Sequence, residues 1–161
     1  MGLRFPEQIF GSCFFLTTSF YDRQRLGDID GVYAALANSL RYCLEKYSAR
    51  LPGYVLMPSH IHLLLVLDGD KLGGFMRDFK KYTAQKALKD CSVQSDRVWR
   101  HRYDRVAVYS ENIFRQKLEY IHNNPVEAGL VDIPEQWPWS SAHAYITGGS
   151  GPLPVWREWQ M

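Results

Sequence analysis

"LPGYVLMPSHIHLLLVL" occupies residues 51–67. Two apolar runs, 51–57 and 60–67, are separated only by Pro58 and Ser59. Each run has the length of a strand, and a Pro-Ser pair is turn chemistry. The stretch therefore predicts a hairpin with no helix between its strands. The rest of the chain has to be arranged around that pair.

On both sides of it the apolar spacing becomes helical. Residues 27–49 carry Val32, Leu36, Leu40, Cys43 and Leu44 at the spacing of an amphipathic helix. Residues 72–90 repeat Leu72, Phe75, Met76, Phe79, Tyr82 and Ala87, predicting a second helix with Lys81, Gln85 and Lys89 on its outer side. Further out, "IFGSCFFLTTSFY" (9–21) and "VWRHRYDRVAVY" (98–109) read as a first and a fourth strand, the latter after a polar loop over 91–97. The order β-α-β-β-α-β is the split βαβ, or ferredoxin-like, α+β arrangement: an antiparallel sheet with two covering helices. An added helix over 110–125 opens on Ser110 as its cap. It is expected to stop near Asn124, because a residue before proline avoids the helical region. Residues 126–161, rich in Pro, Gly and Trp, read as a largely irregular tail of a single domain spanning 1–161.

Composition limits the function classes. The net charge is only +2, yet residues 77–105 hold nine Lys/Arg against four Asp, a local excess of five positive charges. Such a zone fits either a polyanion-binding face or a solvated helix and loop. Aromatic residues are plentiful (5 Trp, 10 Tyr, 8 Phe), enough for a stacking surface beyond the core, though packing could also absorb them. Cys13, Cys43 and Cys91 have no paired spacing, which argues against a disulfide framework or a cysteine zinc site and fits a reducing cytoplasm. The N-terminal "MGLRFPEQIF" lacks the apolar core of a signal peptide, and no run reaches the ~18 apolar residues of a membrane span.

Alternation along a strand puts His60 and His62 on one face, ~6.5–7 Å apart, followed on that face by Leu64 and Val66. Two imidazoles at the start of a strand can share a divalent cation, or can simply be two hydrated histidines near a turn. On the 110–125 helix, Phe114, Leu118 and Ile121 form the apolar stripe, while Tyr120 and Asn124 stack at i and i+4 on another side. Tyr120 could be a nucleophile and Asn124 an oxygen ligand; equally, they could be a half-buried ring and part of a helix stop. A histidine-triad hydrolase needs a third alternating histidine, and position 64 is Leu.

Several blocks in one order carry a resemblance. "MPSHIHLLL" looks like the His-hydrophobic-His (HUH) motif of single-tyrosine transposases of the insertion-sequence type. "FFLTTSFYDRQRL", "VWRHRYDRVAV", "KLEYIHNNPVEAGLV" and "WPWSSAHAY" resemble the REP-associated tyrosine transposase branch. The blocks span about residues 13–145.

The resemblance implies a ferredoxin-like HUH nuclease that cleaves and rejoins single-stranded DNA near hairpins, through a covalent 5′-phosphotyrosine. It puts the nucleophile at Tyr120 and the metal ligands at His60 and His62. Asn124 stands where insertion-sequence relatives usually carry glutamine, one methylene longer. The implied cofactor is a divalent metal, Mg²⁺ or Mn²⁺, and activity is expected to fall below about pH 6 as the imidazoles protonate. Lys80, Lys81, Arg100, Arg102 and Arg105 are candidates for phosphate contacts, and Tyr82, Trp99 or Tyr103 for base stacking. Monomer and homodimer stay open, as does a rival reading in which the fold binds hairpin nucleic acid without cutting it. Enzymes that nick replication or transfer origins usually carry further domains, for which this chain has no room.

Overall fold

The computed structural model describes residues 12–160. The N-terminal stretch and residues 9–11 of the expected first strand lie outside them. Four strands, β1 (Cys13–Ser19), β2 (Arg50–Leu56), β3 (His60–Val66) and β4 (Asp104–Ala107), form one sheet in the order β2-β3-β1-β4. Every pairing is antiparallel. Helix α1 (Val32–Lys46) connects β1 to β2, and α2 (Gly69–Tyr82) connects β3 to β4. The split βαβ arrangement expected from the hairpin is the observed one.

Strand alternation sends the two faces of the sheet to different cores. Leu16, Leu63 and Leu65 meet Leu36, Leu40, Phe75 and Phe79 of α1 and α2. Phe15, Val55, Leu64 and Val66 meet Phe114, Leu118 and Ile121 of α3 (Glu111–Glu127), together with Trp159 from the tail. His60 and His62 share parity with Leu64, so they lie on the α3 side.

Three expectations need correction. The α2 stripe was expected to include Tyr82 and Ala87, but Tyr82 is exposed while Thr83 and Leu88 are buried. A π-helical turn over Thr83–Ala87 adds one residue to the repeat, and Leu88 N–H bonds Thr83 O across it at 3.0 Å. The Thr83 hydroxyl bonds Phe79 O and accepts from Trp99 Nε1, which keeps position 83 inside. The strand expected over 98–109 is reduced to four residues plus an isolated Phe20–Trp99 bridge. Arg100 N–H still bonds Ser19 O, but Lys80 Nζ takes the carbonyls of Arg100 and His101, and the backbone then leaves the ladder until Asp104. Finally, α3 does not stop near Asn124. It runs through Pro125 to Glu127, and the buried proline ring replaces with packing what its missing N–H cannot donate.

The tail closes the α3 side. It contributes one short helix, α4 (Ala142–Thr147), and its backbone at Trp139–Ser141 bonds the outer edge of β2. Among the described residues no helix is long and apolar enough to cross a membrane.

Candidate active site

The register sets the first half of the site. Thr17 pairs with His62, and Ser19 with His60. The Thr17 hydroxyl lies 2.8 Å from His62 Nδ1, and the Ser59 hydroxyl 3.0 Å from His60 Nδ1. Both imidazoles are thus held by their Nδ1 atoms, which leaves the two Nε2 atoms for other partners. The ring centroids are 4.8 Å apart. His60 Nε2 is 3.3 Å from Asn124 Oδ1, while His62 Nε2 is buried and has no hydrogen-bond partner.

The second half comes from α3. Ser110 caps it, its hydroxyl accepting from Ile113 N–H at 3.2 Å. Phe114, Leu118 and Ile121 seat it on the sheet. Gly53 of β2 permits the close approach, because a Cβ there would stand 2.6 Å from Leu118 Cδ1. Behind the helix, His122 Nε2 is 2.8 Å from the buried Ser141 hydroxyl of the tail. This seating turns Tyr120 and Asn124 toward the histidines of the same chain. The Tyr120 ring is 5.3 Å from that of His62, edge to face, and 6.0 Å from Phe15. Tyr120 stays 52% exposed, lining a groove of about 610 Å³ with Gln116, Glu119, Asn123 and Asn124. The site is therefore open to a large ligand on the tyrosine side and closed on the His62 side.

Burial sets the electrostatics. It pushes the His62 pKa down to about 3, helped by His60 whenever that ring is protonated and by the positive charges of Arg23 and Lys117. His60 is lowered by burial and by Arg23, partly offset by its bond to Asn124. Both rings are neutral at neutral pH, the state that ligates metal. The spare, buried Nε2 of His62 beside His60 Nε2 and Asn124 Oδ1 is a donor set that fits a divalent ion. Among the described residues no three His, Cys, Asp or Glu side chains gather to hold a metal. The amide oxygen, water or a phosphate oxygen would have to complete the shell.

The same shifts predict acid lability. His62, and His122 with a pKa lowered by burial to about 4, sit below the ordinary value of 6.5. The unfolded chain then takes up protons that the folded chain refuses, so stability is lost as pH falls from about 6.5, to about 4 for His122 and about 3 for His62. Thermal melts in chelator should drop across that window, and His122→Gln should flatten the slope. An unchanged slope would show that His122 is not a source of it.

Sequence reasoning missed the residues that hold the histidines. Thr17 and Ser59 are ordinary strand and turn residues until register pairs them with imidazoles. Phe15 stacks on His62 at 5.4 Å, and Lys117 Nζ lies 4.8 Å above Phe15. Lys117 precedes Tyr120 by one helical turn, a spacing legible in principle. Thr17→Val keeps the shape but leaves His62 Nδ1 unsatisfied, at a cost of about 1–3 kcal/mol. It should weaken Mn²⁺ affinity about 10–100-fold. Titration calorimetry checks this; wild-type affinity would show that the hydroxyl does not orient the ring.

The expected DNA contacts divide. Lys81, Arg100, Arg102 and Arg105 are exposed, as is Tyr82; Tyr103 is half-buried. Lys80 is engaged with the Arg100 and His101 carbonyls, and Trp99 is buried against Phe20 and bonded to Thr83. Those two fasten the 97–103 segment to α2.

Known proteins share both sequence and fold with this chain. Residues 16–124 match the family model described as "Transposase IS200 like". A Haemophilus influenzae protein provisionally named a REP-associated tyrosine transposase is 24% identical over 143 residues, covering 83% of this chain and 81% of that protein. The REP-associated tyrosine transposase of Escherichia coli is 27% identical over 121 residues, covering 71% and 69%. The solved structure of a REP-associated tyrosine transposase bound to a REP hairpin superposes with a TM-score of 0.72 at 22% identity, over 91% of this chain and 86% of that one.

Proposed function

Because the chain belongs to the IS200-like transposase family, we propose that it is a single-tyrosine transposase of the REP-associated branch, cutting and rejoining single-stranded DNA beside hairpins. Tyr120 is the nucleophile, and His60, His62 and Asn124 are the metal ligands. The observation that carries this reading is the packing of the Tyr120 ring against His62, whose spare Nε2 is buried beside His60 and Asn124.

The Tyr120 oxygen attacks the scissile phosphorus in line. The P–O3′ bond breaks, the phenolic proton is given up, and the leaving 3′-oxygen ends as a hydroxyl. The product is a 5′-phosphotyrosine that conserves the phosphodiester bond energy, so a second strand's 3′-hydroxyl can reverse the step without a nucleotide cofactor. A phenol with a pKa near 10 is a weak nucleophile at neutral pH. A divalent ion, Mg²⁺ or Mn²⁺, would when bound polarise the phosphate and offset its developing charge. Thr17 and Ser59 hold the imidazoles toward that ion, and Lys117 and Arg23 add positive charge nearby. The groove beside Tyr120 leaves room for a strand. The lowered basicity of both histidines moves the loss of metal binding to a more acidic pH than the value near 6 expected of free imidazoles.

The proposal is tested by incubating the protein with hairpin-bearing single-stranded DNA and Mn²⁺ or Mg²⁺. A covalent adduct that disappears in chelator supports it. Tight hairpin binding without an adduct in any divalent ion would leave a binding protein on a nuclease fold.

A further inference from the structure

A cleft of about 530 Å³ opens between the end of α2 and the segment after β1, outside the groove beside Tyr120. Its walls include Tyr21, Lys81, Arg97, Trp99, Arg100 and His101. The volume lies within the ~300–1,000 Å³ of small-ligand clefts. The Arg97 guanidinium lies 5.2 Å over the Tyr21 ring, and Tyr21 is 40% exposed. Among the described residues, Lys81, Arg97 and Arg100 form no salt bridge with an acid. Three uncompensated cations around a concave surface, with a half-exposed phenol ring among them, describe a receptor for something anionic and flat.

The cleft is built, because its floor is tied down. Lys80 Nζ bonds the Arg100 and His101 carbonyls, Tyr21 N–H bonds Val98 O at 2.8 Å, and Trp99 stacks on Phe20 at 4.6 Å. It also lies at the histidine end of the sheet. Ser19 pairs with His60 on one side, and on the other its carbonyl accepts from Arg100 N–H at 2.9 Å. Two strand spacings, about 10 Å, separate the backbone of the two sites. A double helix does not fit a cleft of this size; a single unpaired nucleotide does.

We propose that this cleft seats one unpaired nucleotide of the strand flanking the scissile phosphate, its base stacked on the Tyr21–Arg97 pair and its phosphates met by Lys81 and Arg100. This rests on the reading of the chain as a single-stranded DNA transposase and adds where the strand is gripped next to the reacting bond. The seat selects unpaired over paired DNA, because only a splayed base exposes both faces for stacking.

The experiment compares one hairpin in three forms: blunt, with a short unpaired 5′ tail, and with the same tail at the 3′ end. Each tail carries 2-aminopurine. Wild type should bind one tailed form more tightly than the blunt form, with quenched 2-aminopurine fluorescence. Tyr21→Ala and Arg97→Ala should each lose about 5–100-fold of that tail-dependent gain, as expected for one stacking contact. They should also restore the fluorescence while leaving blunt-hairpin affinity within about twofold. Tyr21→Phe should retain both effects. Unchanged tail binding and quenching in Tyr21→Ala would overturn the proposal, and so would an equal loss for blunt and tailed hairpins. The two readings fail separately: a Tyr21-dependent tail effect without any metal-dependent adduct would keep the seat and remove the nuclease.

Discussion

Tyr120→Phe is expected to abolish covalent capture of hairpin-bearing single-stranded DNA while leaving its binding intact. The substitution removes one oxygen. The ring is half-exposed and meets His62 and Phe15 by its edge, contacts that phenylalanine reproduces. Neither fold nor metal affinity should change. No other hydroxyl lines the adjoining groove, whose remaining walls are Gln116, Glu119, Asn123, Asn124 and Glu127. A water recruited in its place would hydrolyse DNA rather than store the bond. Denaturing gels should show no protein–DNA adduct and at least a ~10³-fold slower strand cleavage, the scale seen when a nucleophile is removed. Retained adduct in this variant would assign the chemistry to another residue.

The second large effect is that of His62→Ala, which should cost about 10²–10³-fold in cleavage, the scale of losing one preorganised electrostatic partner. Mn²⁺ should raise the melting temperature of the wild type, and His62→Ala should erase that rise. His62 is 4% exposed, and its Nε2 has no protein partner. The chain therefore keeps a buried polar atom that it does not itself satisfy, at a cost of about 1–3 kcal/mol. The divalent ion proposed at that atom would account for its retention. If Mn²⁺ stabilises His62→Ala as much as wild type, the metal sits elsewhere. The same variant probes where catalysis is assembled. Tyr120 packs on the His62 of its own chain, so mixing His62→Ala with Tyr120→Phe should restore no adduct. Recovery in the mixture would mean that α3 serves a partner's histidines.

How much of this was legible in the sequence depended on whether periodicity carried it. The hairpin at 51–67, the stripes of α1 and α3, and the shared face of His60, His62, Leu64 and Val66 follow from alternation and helical repeat, and all are observed. Deviations arose where a side chain competes with the repeat. The Thr83 hydroxyl and Trp99 indole fix a π-turn that no spacing rule anticipates, and Lys80 captures two carbonyls that a strand would have used. Pro125 reads as a helix stop locally but is buried inside a helix that continues to Glu127. The site divides the same way. Tyr120 and Asn124 are a legible i, i+4 pair. Thr17 and Ser59 have no signature, because cross-strand register and turn geometry alone bring their hydroxyls to the imidazoles. The cleft at Tyr21 and Arg97 joins residues 76 positions apart and could emerge only from the fold.

The nucleophile is identified by trapping the adduct of wild-type protein with hairpin DNA in Mn²⁺, digesting both components, and mapping the modified peptide by mass spectrometry. With Tyr120 as the nucleophile, its oxygen carries the 5′-nucleotide phosphate. The same modification on another exposed tyrosine, such as Tyr82 or Tyr109, would contradict it.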